Sequence, residues 1–292
     1  MSLLAAATSR NRRIGIAMIC GTAVCYSFLD VTGKWLVLAL PVLQVVWLRF
    51  LVHALLGVCV LLPVHGVRLF RVHHLRLQLL RGGMLATMTG LNFWALQYLQ
   101  LDVTGAIQFS VPIVVALASA QWLGERLDRR RWLAILTGFG GVLLIVQPGS
   151  QAFHPAMLLS IGNALLYAGF NILTRHLAAT ELPAATQLLS AIIATLLLTP
   201  FGIATWQTPQ NGLTWVLVLS LGVFGGAGHF LAAQAHRYAS AAVLSPFMYQ
   251  QILYFALGGW LVFGHVPSAL VAAGVALIVG SGLYLLLREL RS

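Results

Sequence analysis

YSFLDVTGK, residues 26–34, has a counterpart about 140 positions further on: YAGFNILTR, residues 167–175. Each sits inside a long apolar run. Each opens with Tyr and closes on a base, Lys34 or Arg175, with Asp30 in the first copy matched by Asn171 in the second. Other pairs keep the same offset. Ala95-Leu96-Gln97-Tyr98 meets Ala235-His236-Arg237-Tyr238. Leu117 and Leu123-Gly124-Glu125 meet Leu257 and Phe263-Gly264-His265. Leu40-Pro41 meets Leu182-Pro183 with a small gap. The order is kept along the whole chain, which marks two copies of one unit.

Composition says where the unit lives. Apolar residues are 60% of the 292, and charged residues only 8%. Mean hydropathy is +0.90. A water-soluble domain carries about 25% charge, and a membrane-spanning helix needs about 20 apolar residues in succession. Ten such segments are expected, at 14–38, 42–62, 80–99, 104–124, 132–147, 154–176, 183–203, 213–236, 241–262 and 267–287. The fold class is therefore all-α integral membrane: ten transmembrane helices in two five-helix repeats. The first run, from Ile14, is longer than a signal-peptide core and lacks a small-residue cleavage site, so it reads as a retained helix.

The net charge of +11 invites a nucleic-acid reading, but the positions of the charges give a different one. Of seventeen Lys and Arg residues, Lys34 and Arg49 fall within helices. With the N-terminus inside, the other fifteen all fall in inner breaks: Arg10, Arg12, Arg13, Arg68, Arg71, Arg76, Arg81, Arg126, Arg129, Arg130, Arg131, Arg175, Arg237, Arg288 and Arg291. This is the positive-inside pattern. Nine helices would put Arg288 and Arg291 outside, so the asymmetry favours ten, with both termini cytoplasmic in the inner membrane and no nucleic-acid partner. The tails are 1–13 and 288–292, and the repeats 14–148 and 154–287. The break at 63–81 alternates basic and apolar residues, as an amphipathic helix on the anionic inner leaflet would. Five helices per repeat is an odd number, so the second copy enters from the opposite side. Transporters built this way hold substrate near the midplane between the halves, and alternating access follows from rocking one half against the other.

These features resemble the drug/metabolite transporter superfamily, EamA type: two five-helix halves, a polar-aromatic first helix, ALQYL (95–99) ending the third helix, and LGE (123–125) closing the fourth. His265 stands where the second copy of that pattern has Glu, which leaves Glu125 as a helix-end or loop contact. The resemblance implies a central cavity lined by the first, third, fourth, sixth, eighth and ninth helices, and efflux of small organic solutes. It is nearest the branch exporting aromatic amino acids, some members of which also pass cationic drugs. The expected partners are a small-molecule substrate and membrane lipid, with a monomer sufficient for function and no cofactor.

Asp30 and Lys34 share a helix face at i and i+4. They read either as a cavity-facing pair for zwitterions, with Asp30 as a proton site, or as a mutually neutralised pair, or with Lys34 snorkelling to the outer surface. Arg49, with His53 one turn on, is a candidate for a substrate carboxylate or for a structural tie to Asp30. Further candidates for the cavity wall are Tyr26, Asn92, Trp94, Tyr98, Gln108, Asn163, Tyr167, Asn171, His229, Gln234, Tyr249, Gln250 and Tyr254. Polar groups of this kind belong in the interior of the bundle, where many simply bond between helices. Trp206 and Trp215 fit an interfacial belt. The glycines of GVFGGAGH (222–229) suit close packing, and Pro112 and Pro246 suit kinks. Cys20, Cys25 and Cys59 lie in apolar runs as packing residues, without CxxC or metal-ligand spacing.

An enzyme is not expected: HExxH, GxSxG and paired carboxylates are absent from the sequence, and so is a P-loop. The function expected is a secondary transporter exporting amino acids, aromatic or other neutral ones, and related metabolites. The alternatives are a broad-specificity drug/metabolite exporter or, further off, an intramembrane enzyme.

Overall fold

The computed structural model describes residues 9–111, 129–177, 180–239, 244 and 247–289. The expectations placed on Pro112, Glu125, Arg126, Pro246 and Arg291 fall outside these. Within them are ten α-helices. They are α1 (Ser9–Val37), α2 (Val42–His65), α3 (Leu75–Tyr98), α4 (Leu101–Gln108), α5 (Arg129–Val146), α6 (Met157–Leu177), α7 (Pro183–Ala204), α8 (Gly212–Tyr238), α9 (Gln251–Phe263) and α10 (Ala269–Glu289). All ten overlap the expected segments. In hydrocarbon every backbone N–H and C=O must be satisfied within the protein, and a helix does this within its own span. Large apolar side chains such as Leu55, Val60, Leu196, Phe201, Leu253 and Trp260 are exposed along these helices, a surface made for lipid.

Among the described residues, five helices are long and apolar enough to cross a membrane: α1, α2 with its extension, α6, α7 and α8. Shorter apolar stretches occupy α5, α9 and α10. In α3, Arg76, Gln78, Arg81, Asn92 and Gln97 hold the hydropathy down although its 24 residues are long enough. Of these, Gln78, Arg81 and Asn92 bond to other helices.

Helix contacts follow the repeat. α1 packs on α8, and its counterpart α6 packs on α3; α2 on α8 is matched by α7 on α3, and α1 on α9 by α6 on α4. The pairs α2–α7, α4–α9 and α5–α10 each join a helix to its own counterpart. Almost all of the large interfaces therefore lie between the halves. One core joins α1, α2, α3, α7 and α8 around Leu36, Phe50, Phe93 and Leu96. A second joins α4, α5 and α10 around Ile107, Ile145 and Ile278.

Glycines set the closest of these approaches. A Cβ on Gly228 of α8 would lie 2.6 Å from the Tyr26 ring of α1, and one on Gly274 of α10 would lie 2.6 Å from Ile145 of α5. Small residues let backbones draw together where there is no hydrophobic drive between helices.

The segment 63–81 departs from the amphipathic-helix expectation. α2 runs on through Pro63 to His65 and stops at Gly66, whose φ of +58° is left-handed. A short 3-10 turn, Gly66–Phe70, follows. It buries Leu69 against Ala185 and Leu188 of α7, and α3 starts at Leu75, so Arg76 and Arg81 are helical rather than in a break. Cys59 also departs from expectation: it is exposed, while Cys20 and Cys25 are half-buried, and all three are free thiols.

Candidate functional site

The middle of the bundle holds a polar cluster drawn from both halves. The Tyr26 hydroxyl lies 2.9 Å from His229 Nδ1, joining α1 to α8. His53 of α2 stacks on His229, with ring centroids 5.9 Å apart and planes 10° from parallel. One turn before His53, Arg49 is 3% exposed, its guanidinium over the ring of Phe50 at 4.3 Å. The side chains enter here because α8 presents glycine: Gly225 faces Arg49, Gly226 faces His53 and Gly228 faces Tyr26. The glycine-rich stretch thus serves packing, and through packing it makes room for the site.

Asp30 and Lys34 share a face of α1 but serve different partners. Asp30 Oδ1 accepts from Asn92 Nδ2 of α3 at 3.0 Å. Lys34 Nζ donates to the carbonyls of Leu96 at 2.9 Å and Leu99 at 2.6 Å, and sits over the Phe263 ring. The last carbonyls of a helix lack intrahelical partners and carry the negative end of its dipole. Lys34 is thus a staple for the C-terminus of α3. Among the described residues there is no ion pair between the two, and Lys34, 3% exposed, does not reach the surface.

Toward the end of the bundle where α3 begins, a second network ties α3 to the other half. Arg81, buried, donates from Nε to Thr174 Oγ1 (2.9 Å) and from Nη1 to Ser190 Oγ (2.5 Å) and the Thr186 carbonyl (3.3 Å). It also lies over the Phe170 ring at 4.4 Å. Gln78 donates to Thr186 Oγ1. Glu181, in the α6–α7 loop, accepts from the backbone N–H groups of His73 (2.9 Å) and His74 (2.8 Å), capping the start of α3. At the other end Gln44 of α2 exchanges two bonds with the Gln207 backbone, and Trp47 Nε1 donates to Thr199 Oγ1.

The remaining candidates divide. Asn163 of α6 donates to Gln108 of α4 (3.0 Å), the Tyr249 ring lies 5.4 Å from Phe109, and Tyr254 donates to Gln250 (3.1 Å). Tyr167 is half-buried beside Phe170. The structure places four others away from the cluster. Trp94 is exposed. Tyr98 is exposed and stacks on His154. Asn171 is exposed and donates to its own helix at the Tyr167 carbonyl. Gln234 accepts from Arg237 at the end of α8.

Two residues central to these networks escape sequence reading. Arg81 looks like one more loop base because it borders a basic stretch, and Glu181 shows no motif. The signal available for Glu181 was scarcity: it is one of six acids in the chain.

A profile of the EamA-like transporter family matches residues 13–147 and, a second time, residues 154–288. The chain belongs to that family. It is 31% identical over 238 residues to a riboflavin transporter of Vibrio cholerae, covering 78% of each chain. It is 25% identical to an S-adenosylmethionine uptake transporter of Rickettsia felis, covering 94% of this chain and 93% of that one. It is 28% identical to the pseudopaline exporter CntI of Pseudomonas aeruginosa, covering 91% and 93%. The protein is a small-molecule transporter of the EamA type, a multi-pass membrane protein within the drug/metabolite transporter superfamily.

Proposed function

We propose that this chain is a secondary transporter for small, flat organic metabolites with a polar end, moved by alternating access between two oppositely inserted five-helix halves. Aromatic and other neutral amino acids are one substrate class. Flavin-like heteroaromatics, suggested by the name of the Vibrio cholerae relative, are the other. The observation that carries this reading is the Tyr26–His229–His53–Arg49 cluster, built at mid-helix from α1 and α2 of one half and α8 of the other. A site shared by two halves changes when the halves rock, and aromatic walls with a few fixed polar groups suit a flat solute. The amino-acid class is favoured by an acid and a base carried on contacting helices, Asp30 on α1 and Arg49 on α2.

The direction proposed is export, with both termini cytoplasmic in the inner membrane and a monomer sufficient. The relatives include both an uptake transporter and an exporter, so direction is a matter of coupling to be measured. Purified protein in liposomes is assayed for uptake of labelled riboflavin and the amino acids, with and without a pH gradient. Saturable flux stimulated by the same solute on the far side is the expected result. Product formation without flux sinks the proposal, as does flux that never saturates.

A further inference from the structure

The guanidinium of Arg49 is a buried charge whose unfilled donors packing does not explain. Nε and Nη1 make no hydrogen bond, although the side chain is 3% exposed. The Phe50 ring covers the face of the group, but buried N–H donors left without an acceptor are costly, so these two in a membrane bundle need a reason. Arg81 shows the contrast: equally buried, it is filled by Thr174, Ser190 and the Thr186 carbonyl. Asp30 has the opposite charge, yet its Oδ1 is taken by Asn92, and it forms no ion pair with Arg49 among the described residues. His53 Nδ1, one turn along α2, is also buried and unpartnered. Gly225 of α8 packs against the guanidinium, where an added Cβ would be in ordinary contact, 3.5 Å from Nε and Nη2.

We propose that Arg49, with His53 beside it and only a glycine packed against it on α8, is an oxyanion subsite that takes the carboxylate or phosphate of the transported metabolite as the halves part. A planar fork of donors matches two oxygens of such a group at once. The flat part of the metabolite then lies toward Tyr26 and His229. This deepens the proposed function and rests on it: the substrate is flat and carries an anionic end.

The test uses two pairs of probes that share an aromatic body and differ in whether the polar end is an oxyanion. Indole-3-propionate is compared with tryptamine for a carboxylate, and riboflavin 5′-phosphate with riboflavin for a phosphate. Binding to the purified full-length protein in detergent is measured by isothermal titration. One acid is expected to bind about 10–100-fold more tightly than its twin, the worth of a charge-assisted hydrogen bond; which acid does so tells the carboxylate from the phosphate. Arg49→Gln is expected to erase the gap, and Arg49→Lys to keep part of it. Gly225→Ala keeps the charge and adds only an ordinary contact, so it preserves the fold if Arg49→Gln does not. It is expected to weaken the acid and spare the twin. Equal binding within both pairs overturns the subsite while leaving the flat-solute reading intact, and so does a gap that survives Arg49→Gln. Acid binding restored in the Asp30→Asn/Arg49→Gln double variant makes Arg49 a counter-charge for Asp30 and also overturns the subsite. Failure of all four probes to bind the wild type overturns the flat-solute reading itself, and the subsite with it.

Discussion

Replacing Lys34 by Met tests whether this intramembrane base holds the fold or handles substrate. Met keeps the length and apolar stem but removes the ammonium. Two bonds are lost, at 2.9 Å to Leu96 O and 2.6 Å to Leu99 O, together with the contact to the Phe263 ring. Hydrogen bonds to a charged group contribute about 1.5–3 kcal/mol each. Those values are already net of desolvation, and two bonds sharing one ammonium do not simply add. The expected net loss is about 2–4 kcal/mol, mostly from carbonyls left bare at the end of α3. At roughly 2–4 °C per kcal/mol for a chain of this order, the melting midpoint in detergent falls by roughly 5–15 °C. The assay is a thermal ramp followed by intrinsic fluorescence, with transport per folded molecule measured well below the midpoint. Transport is expected to keep its KM. An unchanged midpoint with a raised KM would refute the staple and return Lys34 to the substrate.

Three further perturbations probe other parts of the bundle. Asp30→Asn is expected to abolish any dependence of flux on a pH gradient in liposomes, because Asn cannot carry the proton; dependence that persists removes Asp30 from coupling. Glu181→Ala strips the acceptor from His73 N and His74 N and is expected to cost about 1–2 kcal/mol, as loss of a helix cap does, seen as a lower melting midpoint that Glu181→Gln partly restores. Gly228→Val sets a branched side chain where even Cβ would come 2.6 Å from the Tyr26 ring; it is expected to part α1 from α8, with loss of a monodisperse peak on size exclusion, whereas Gly212→Ala, in open space, leaves the peak unchanged.

Much of the architecture was legible in the chain because lipid imposes simple rules. Apolar length gave the helices, and repeat spacing gave the duplication, whose symmetry is now seen in the packing of α1 on α8 and of α6 on α3. The candidate site was legible by type and only partly by place. Tyr26, Asp30, Asn92 and His229 stood out as polar groups in apolar runs and do meet across helices. Trp94, Tyr98 and Asn171 stood out for the same reason and are exposed, with no bond to that cluster among the described residues. Rotation of a helix about its axis is set by its neighbours, and a run that is apolar all round gives little sign of which face is inside.

What the sequence alone determined is the medium, the helices and the duplication, since these depend on composition, length and order, which are properties of the chain itself. What only the tertiary structure decided is the partner of each charge. Asp30 and Lys34, one turn apart, go to Asn92 and to the end of α3; Arg81 is satisfied; Arg49 is not. In a medium without water a charge must find its partner on another helix, and which helix lies within 3 Å is fixed by how glycines such as Gly225 and Gly228 let backbones approach.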